Sequence, residues 1–245
     1  MQKQMLTMLG GLISGKGGEQ QGTIETRTVA AAGDDYDFQI YVPPQAKNEK
    51  NLPVIIFLHG IGQRGAGGFV PTQGAGGAIA RHYLSQVPPS IILLPQCGAG
   101  KYWSSAVMDE MTMNALAQTI EEFQADARRI YLTGVSMGGY GVWHFALRYP
   151  KRFAALVSIC GGSSLVKGER FSPVAEAVGK TPAWLFHGAD DRVVSVSESR
   201  EIVKALEAVG GNVKYSEYAG VGHNVWMNAL GEKDLLAWLF AQRLD

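Results

Sequence analysis

The stretch Gly134-Val135-Ser136-Met137-Gly138 constrains this chain more than any other part of it. It reads G-x-S-x-G. The strand-like run Arg129-Ile130-Tyr131-Leu132-Thr133 precedes it, and a helical pattern follows as far as Tyr149-Pro150. A serine held between a strand and a helix sits on a tight, strained turn, so the residues two places either side must be small. Glycine tolerates both the backbone angles and the close approach. Such a turn lifts the hydroxyl above the sheet edge and aims the N-terminus of the next helix at whatever reacts there. The motif alone is common by chance and also describes an ordinary loop serine. The strand on one side and the helix on the other favour a nucleophile.

At 245 residues with 46% hydrophobic content, the chain can bury a large core and fits one α/β domain better than two. Its 22 basic and 22 acidic residues cancel, a balance that offers nothing to nucleic acid or to an anionic membrane. No apolar run approaches the roughly 20 residues of a membrane span. Residues 1–21 read as an N-terminal extension. Met5, Met8, Leu9 and Leu12 recur at helical spacing after Lys3, which suits an amphipathic helix packed on the domain. A signal-peptide core is the alternative, but Gly10 and Gly11 interrupt it and no clear cleavage site follows. A cytoplasmic location is expected on this reading, and a secreted or periplasmic one on the other.

Residues 22–245 carry a regular alternation. Gly22–Ala30 and Tyr36–Val42 read as an antiparallel hairpin joined through Ala32-Gly33-Asp34-Asp35. Pro53–Leu58 and Ser90–Leu94 are continuous apolar runs of the kind found in buried strands. Helical patterns cover Gly77–Gln86 and Met108–Gln124. The elbow strand and helix follow, then strands at Ala154–Cys160 and Pro182–Phe186. Ser195-Val196-Ser197-Glu198 matches a capping box, opening a helix that closes at Gly210-Gly211. Asn212–Tyr218 alternates as a strand, and Asn224–Leu244 reads as one final helix. Eight strands, the last six alternating with helices, predict a mostly parallel sheet with helices on both faces. Gly161 to Thr181 has room for one small helix and none for a folded cap domain, so the site should be open to substrates larger than a free small molecule.

A serine hydroxyl needs a histidine to take its proton and a carboxylate to orient that imidazole. The chain has 5 histidines. In the serine–acid–histidine order that follows such an elbow, His59 and His82 come too early. His144 lies about 12 Å along the elbow helix. His187 ends a strand ahead of the acid loop. His223 remains, in the glycine-bearing loop Ala219-Gly220-Val221-Gly222-His223-Asn224. The acid belongs after the seventh strand, where Asp190 and Asp191 are adjacent and spacing cannot separate them. The negative charge that builds during acyl transfer needs two fixed N–H donors. The Met137 amide is one candidate. The Ile61 amide is the other, with Gly62 its near alternative.

Gly60-Ile61-Gly62-Gln63-Arg64-Gly65 also matches the G-x-G-x-x-G dinucleotide fingerprint. That site wants an acidic residue about 20 positions later. No Asp or Glu occurs from Lys50 to Met108, which argues against a nucleotide cofactor. Arg64, Arg81 and Lys101 in the same stretch would lean the site mouth positive if they line it. Asp126 reads as a loop-capping acid. No cysteine–histidine cluster has metal-ligand spacing, so neither metal nor cofactor is expected.

Several separated motifs agree: Phe57-Leu58-His59-Gly60, Leu94-Pro95-Gln96-Cys97, Tyr131 through Gly139, Cys160-Gly161-Gly162, His187-Gly188-Ala189-Asp190-Asp191 and Gly222-His223-Asn224. On these the sequence resembles the α/β-hydrolase superfamily, and within it the capless phospholipase/carboxylesterase and feruloyl-esterase-like group. The resemblance implies an eight-stranded α/β-hydrolase fold. It places the acid on Asp191, completing a Ser136, Asp191, His223 triad. Its strand order puts Cys97 and Cys160 at the ends of strands three steps apart, about 14 Å, so free thiols are expected. Trp103 and Trp226 fall in loops near the same sheet edge, where either can wall a substrate pocket or simply pack. The implied activity is hydrolysis of carboxylic esters through an acyl-enzyme. Aryl, feruloyl or short-chain acyl esters, free or polymer-linked, are the substrate classes, and a homo-oligomer is allowed for. A serine peptidase or amidase, and a non-catalytic binder on the same scaffold, are the alternatives.

Overall fold

A computed structural model describes residues 22–65, 88–163 and 171–245. The N-terminal extension, the helical pattern at Gly77–Gln86 and Arg81 lie outside these residues. One eight-stranded sheet runs in the order β1-β2-β4-β3-β5-β6-β7-β8. The strands are β1 (Thr23–Ala31), β2 (Asp34–Val42), β3 (Val54–Leu58), β4 (Ile91–Pro95), β5 (Ile130–Val135), β6 (Ala155–Ile159), β7 (Ala183–Gly188) and β8 (Val213–Tyr218). β1 pairs antiparallel with β2, and β2 with β4; every other pairing is parallel.

The hairpin turn is tighter than the sequence suggests. Asp34 and Asp35 are already in the ladder, opposite Ala31 and Ala30, which leaves Ala32 and Gly33 as the turn. Both have positive φ, 51° and 86°, the handedness that matches the twist of a two-residue hairpin.

β3 to β7 are buried along their whole length, as continuous apolar runs require when both faces are covered. Alternation then sends successive side chains to opposite cores. Val54, Ile56 and Leu58 join one core, and Ile55 and Phe57 the other. The first core is capped by α1 (Ala106–Phe123), α2 (Met137–Arg148), α3 (Ser172–Val178) and α4 (Ser197–Ala208). The second lies under α5 (Trp226–Leu230) and α6 (Leu235–Phe240). Of the described residues joining β6 to β7, only α3 is helical, and the connection has no space for a cap domain.

Two local readings are corrected. The C-terminal helix is broken into α5 and α6 around Gly231–Asp234. Gly231 ends α5, and the polar residues that follow let the chain turn so that Leu235 and Leu239 still reach the core. The capping-box reading also misplaces the start of α4: Val196, not Ser195, takes the N-cap position and gives no side-chain cap. The buried Glu198 carboxylate accepts the Ser163 N–H at 3.3 Å. Ser195 Oγ lies 2.8 Å from Ser197 Oγ, and α4 begins at Ser197.

Candidate active site

The four parallel strands β5 to β8 end side by side, and the site is assembled from the loops that leave them. Ser136 joins β5 to α2 at φ 55°, ψ −118°, a region where a non-glycine residue costs about 1–3 kcal/mol. The Ser136 amide donates to the Ile159 carbonyl at 2.8 Å, and its carbonyl accepts the Tyr140 N–H at 3.1 Å, so both neighbours hold the turn. A Cβ on Gly138 would overlap the Leu58 carbonyl oxygen, and one on Gly134 the Gly138 carbonyl. Those two overlaps are why the flanking positions are glycine.

His223 reaches back to this turn from the loop after β8. Its Nε2 lies 2.9 Å from Ser136 Oγ and its Nδ1 lies 2.7 Å from Asp191 Oδ2. Asp191 is acceptor-only when ionised. The network therefore puts the proton on Nδ1 and leaves Nε2 to accept the serine O–H. Asp191 Oδ1 accepts the Val193 and Val194 amides at 2.8 and 2.9 Å. Burial works to raise the Asp191 pKa, but the His223 bond and those two amides outweigh it and hold the carboxyl below its ordinary value. Asp190 is exposed, with its amide on the Val221 carbonyl at 3.0 Å. The adjacent pair is thereby resolved: Asp191 faces the imidazole and Asp190 faces solvent. His187 is fully buried. Its Nε2 donates to the Val194 carbonyl at 3.0 Å, its Nδ1 accepts from Ser199 Oγ at 2.7 Å, and it fixes the loop that carries Asp191.

The loop after β3 lies against the serine, with Gly60 packed beside it. Residues Ile61–Gln63 form one 3-10 turn whose hydrogen bonds begin at the Gln63 amide. The Ile61 and Gly62 amides are therefore unused by the turn itself. Met137 opens α2, where the first amides likewise have no partner within the helix. His59 holds the loop in place. Its Nδ1 donates to the Gly60 carbonyl at 2.8 Å, and its Nε2 accepts the Cys97 amide at 3.1 Å. Burial pushes its pKa down to about 4, with the Gly60 bond opposing and Arg64 assisting, so it stays neutral. Sequence reasoning set His59 aside as a base and missed this role. The signal was a histidine ending an otherwise apolar strand.

Trp103 does not wall a pocket. It is 1% exposed, its indole N–H donates to the His59 carbonyl at 3.0 Å, and its ring meets the His59 ring edge-on. An indole buried this deeply must satisfy its donor, and here it does so by bracing the loop after β3. Trp226 is half-buried, perpendicular to the His223 ring at 6.1 Å, and so borders the site. Arg64 is committed locally: it donates to the Lys101 carbonyl at 3.0 Å and lies over the Tyr102 ring. Asp126 is remote from the serine and collects Arg129 and Arg243 at 2.9 and 3.0 Å.

Cys97 and Cys160 are both free and buried. Burial pushes each thiol up to about 12. The Cys160 sulfur nevertheless shares a neighbourhood with Asp191 and His223: the ligating atoms of the three lie within 4.8 Å of one another. No sequence spacing announced this cluster, because its members come from three different loops.

Sheet order, elbow and the hydrogen-bonded Ser136–His223–Asp191 arrangement together define the α/β-hydrolase class. Within that class, residues 43–234 match the Phospholipase/Carboxylesterase family, and the chain belongs to it. A thermostable esterase superposes with a TM-score of 0.75 at 30% identity, over 91% of this chain and 63% of that one. A bifunctional acetylxylan esterase/xylanase of Neocallimastix patriciarum is 24% identical over 185 residues, 70% of this chain. The match spans only 24% of that larger enzyme. A feruloyl esterase module from Clostridium thermocellum complexed with sinapinate shares the fold, at TM-score 0.71 and 14% identity, over 90% of this chain and 88% of that one.

Proposed function

We propose that the chain is a serine carboxylesterase working through an acyl-enzyme. The observation that supports this best is one imidazole bonded on one side to a serine hydroxyl and on the other to a buried carboxylate. His223 Nε2 takes the Ser136 proton as Oγ attacks the ester carbonyl. The positive charge that forms on the ring is met by Asp191. The Met137 and Ile61 amides hold the oxyanion, each worth about 3–4 kcal/mol in the transition state. His223 then protonates the leaving alcohol, and a water molecule repeats the sequence to release the acid.

For substrate we infer short acyl or aryl esters, including esters carried on a polymer. No cap domain occurs among the described residues, which favours this, because a strand-edge site without one admits a bulky alcohol side. The likeness to an acetylxylan esterase and the fold shared with a feruloyl esterase module point the same way.

Ser136→Ala tests the reaction. Ester turnover should fall by at least about a thousandfold with the fold unchanged by circular dichroism. A fluorophosphonate probe should label the parent on Ser136 and leave the variant unlabelled. Near-parental turnover in the variant would end the proposal. Matched ester and amide substrates should show hydrolysis of the ester far ahead of the amide. A panel of acetyl, butyryl, octanoyl and feruloyl esters would set the acyl preference.

A further inference from the structure

We propose that Cys160, Asp191 and His223 form an inhibitory site for a thiophilic divalent cation, zinc or cadmium in particular. The inhibition, though not the binding, rests on the triad reading above. Three chemically different ligands converge there: a sulfur, a carboxylate oxygen and an imidazole nitrogen, all within 4.8 Å of one another. A tetrahedral zinc site has bonds of about 2.0–2.3 Å and so sets its ligand atoms about 3.3–3.8 Å apart. The Asp191–His223 pair, at 2.7 Å, would open by under about 1 Å, and the longest separation would close by about the same amount.

The fold presents this cluster in a way that suits a metal. Cys160 directly follows β6 at φ 41°, between the serine strand and the acid strand, so its side chain lies under the triad. Its thiol faces the His223 carbonyl at 3.7 Å, and the Ser136 amide faces the sulfur. Asp191 is wholly buried at its side chain, whereas His223 is 21% exposed. The imidazole is therefore the point of entry from solvent. On coordination the thiol gives up its proton to solvent, and thiolate plus carboxylate balance a 2+ ion inside a low-dielectric pocket. A sulfur–nitrogen–oxygen set selects zinc or cadmium over magnesium or calcium, which prefer oxygen alone. With the metal on Nδ1 in place of its proton, the neutral ring carries its one N–H at Nε2, and Ser136 loses its proton acceptor.

The test has two independent readouts. Added zinc should reversibly suppress ester turnover of the parent, and a chelator should restore it, while magnesium at the same concentration has no effect. Cys160→Ala should weaken zinc inhibition by at least about tenfold, with Cys160→Ser as a second variant in case packing suffers. Zinc inhibition of each protein is read against its own metal-free turnover, so a change in basal rate does not enter the comparison. Separately, one equivalent of cadmium titrated into Ser136→Ala should give a thiolate-to-cadmium charge-transfer band. The band should persist in Cys97→Ala and vanish in Cys160→Ala. Because this second readout needs no turnover, it survives failure of the esterase reading. Equal zinc sensitivity in parent and Cys160→Ala, or a cadmium band that follows Cys97, overturns the proposal.

Discussion

At the scale of single residues, the site is a set of local costs held in place by neighbours. Ser136 is kept in a strained conformation by hydrogen bonds to Ile159 and Tyr140 and by two glycines that let backbone pass within contact. Gly138→Ala should therefore be severely destabilising, since the clash is with the Leu58 backbone carbonyl and not with a movable side chain. Failure to accumulate folded protein, or a large drop in Tm, is the expected result. The adjacent aspartates make a sharper pair of tests. Asp191→Asn should lower turnover by about 10⁴-fold with the fold intact, because an amide supports the wrong imidazole tautomer. Asp190→Asn, altering an exposed carboxylate, should leave turnover near the parent. Steady-state kinetics on the same ester would read both.

At the scale of elements, the elbow helix must be anchored at its far end as well as at the serine. Asp109 on α1, only 4% exposed, supplies that anchor. It accepts from His144 at 2.8 Å and from the Tyr149 hydroxyl, with Arg148 at 3.4 Å, all from α2 or the residue that ends it. Asp109→Ala leaves these donors without their acceptor and should cost about 1–3 kcal/mol. The expected readout is a Tm several degrees lower, with kcat of the remaining folded enzyme little changed. The element level is also where reading from sequence was least complete. Continuous apolar runs marked the buried strands β3 to β7, and alternation with flanking turn residues marked the more exposed β1, β2 and β8. The split of the last helix into α5 and α6 was not legible, because it depends on how Leu235 and Leu239 must approach the sheet. Nor was the start of α4 at Ser197, with Val196 in the N-cap position, because Glu198 also answers to Ser163 in a distant loop.

For the whole molecule, two fully buried neutral imidazoles couple stability to pH. Burial lowers the His59 pKa from 6.5 to about 4, and lowers that of His187 as well. The unfolded chain takes up these protons first as pH falls. The stability is therefore complete above pH 6.5 and is lost progressively toward the folded-state value, about 4 for His59. The His59 share is on the order of 3 kcal/mol. Urea unfolding at neutral and mildly acidic pH should show this decline. His59→Gln should flatten it by about one proton in the uptake on unfolding.

What the amino-acid order decided alone was the alternation of strands and helices, the strained serine turn and the place of His223 in the loop after the last strand. Each is written in local periodicity, glycine placement or chain order. What tertiary structure decided was every relation between loops distant in the chain. It chose Asp191 over Asp190, turned Trp103 from a pocket wall into a brace, and set His59 beneath the Gly60 carbonyl. It also brought Cys160 beside Asp191 and His223. Those outcomes depend on which side chain faces which neighbour across the sheet edge, and linear spacing carries no record of direction in space.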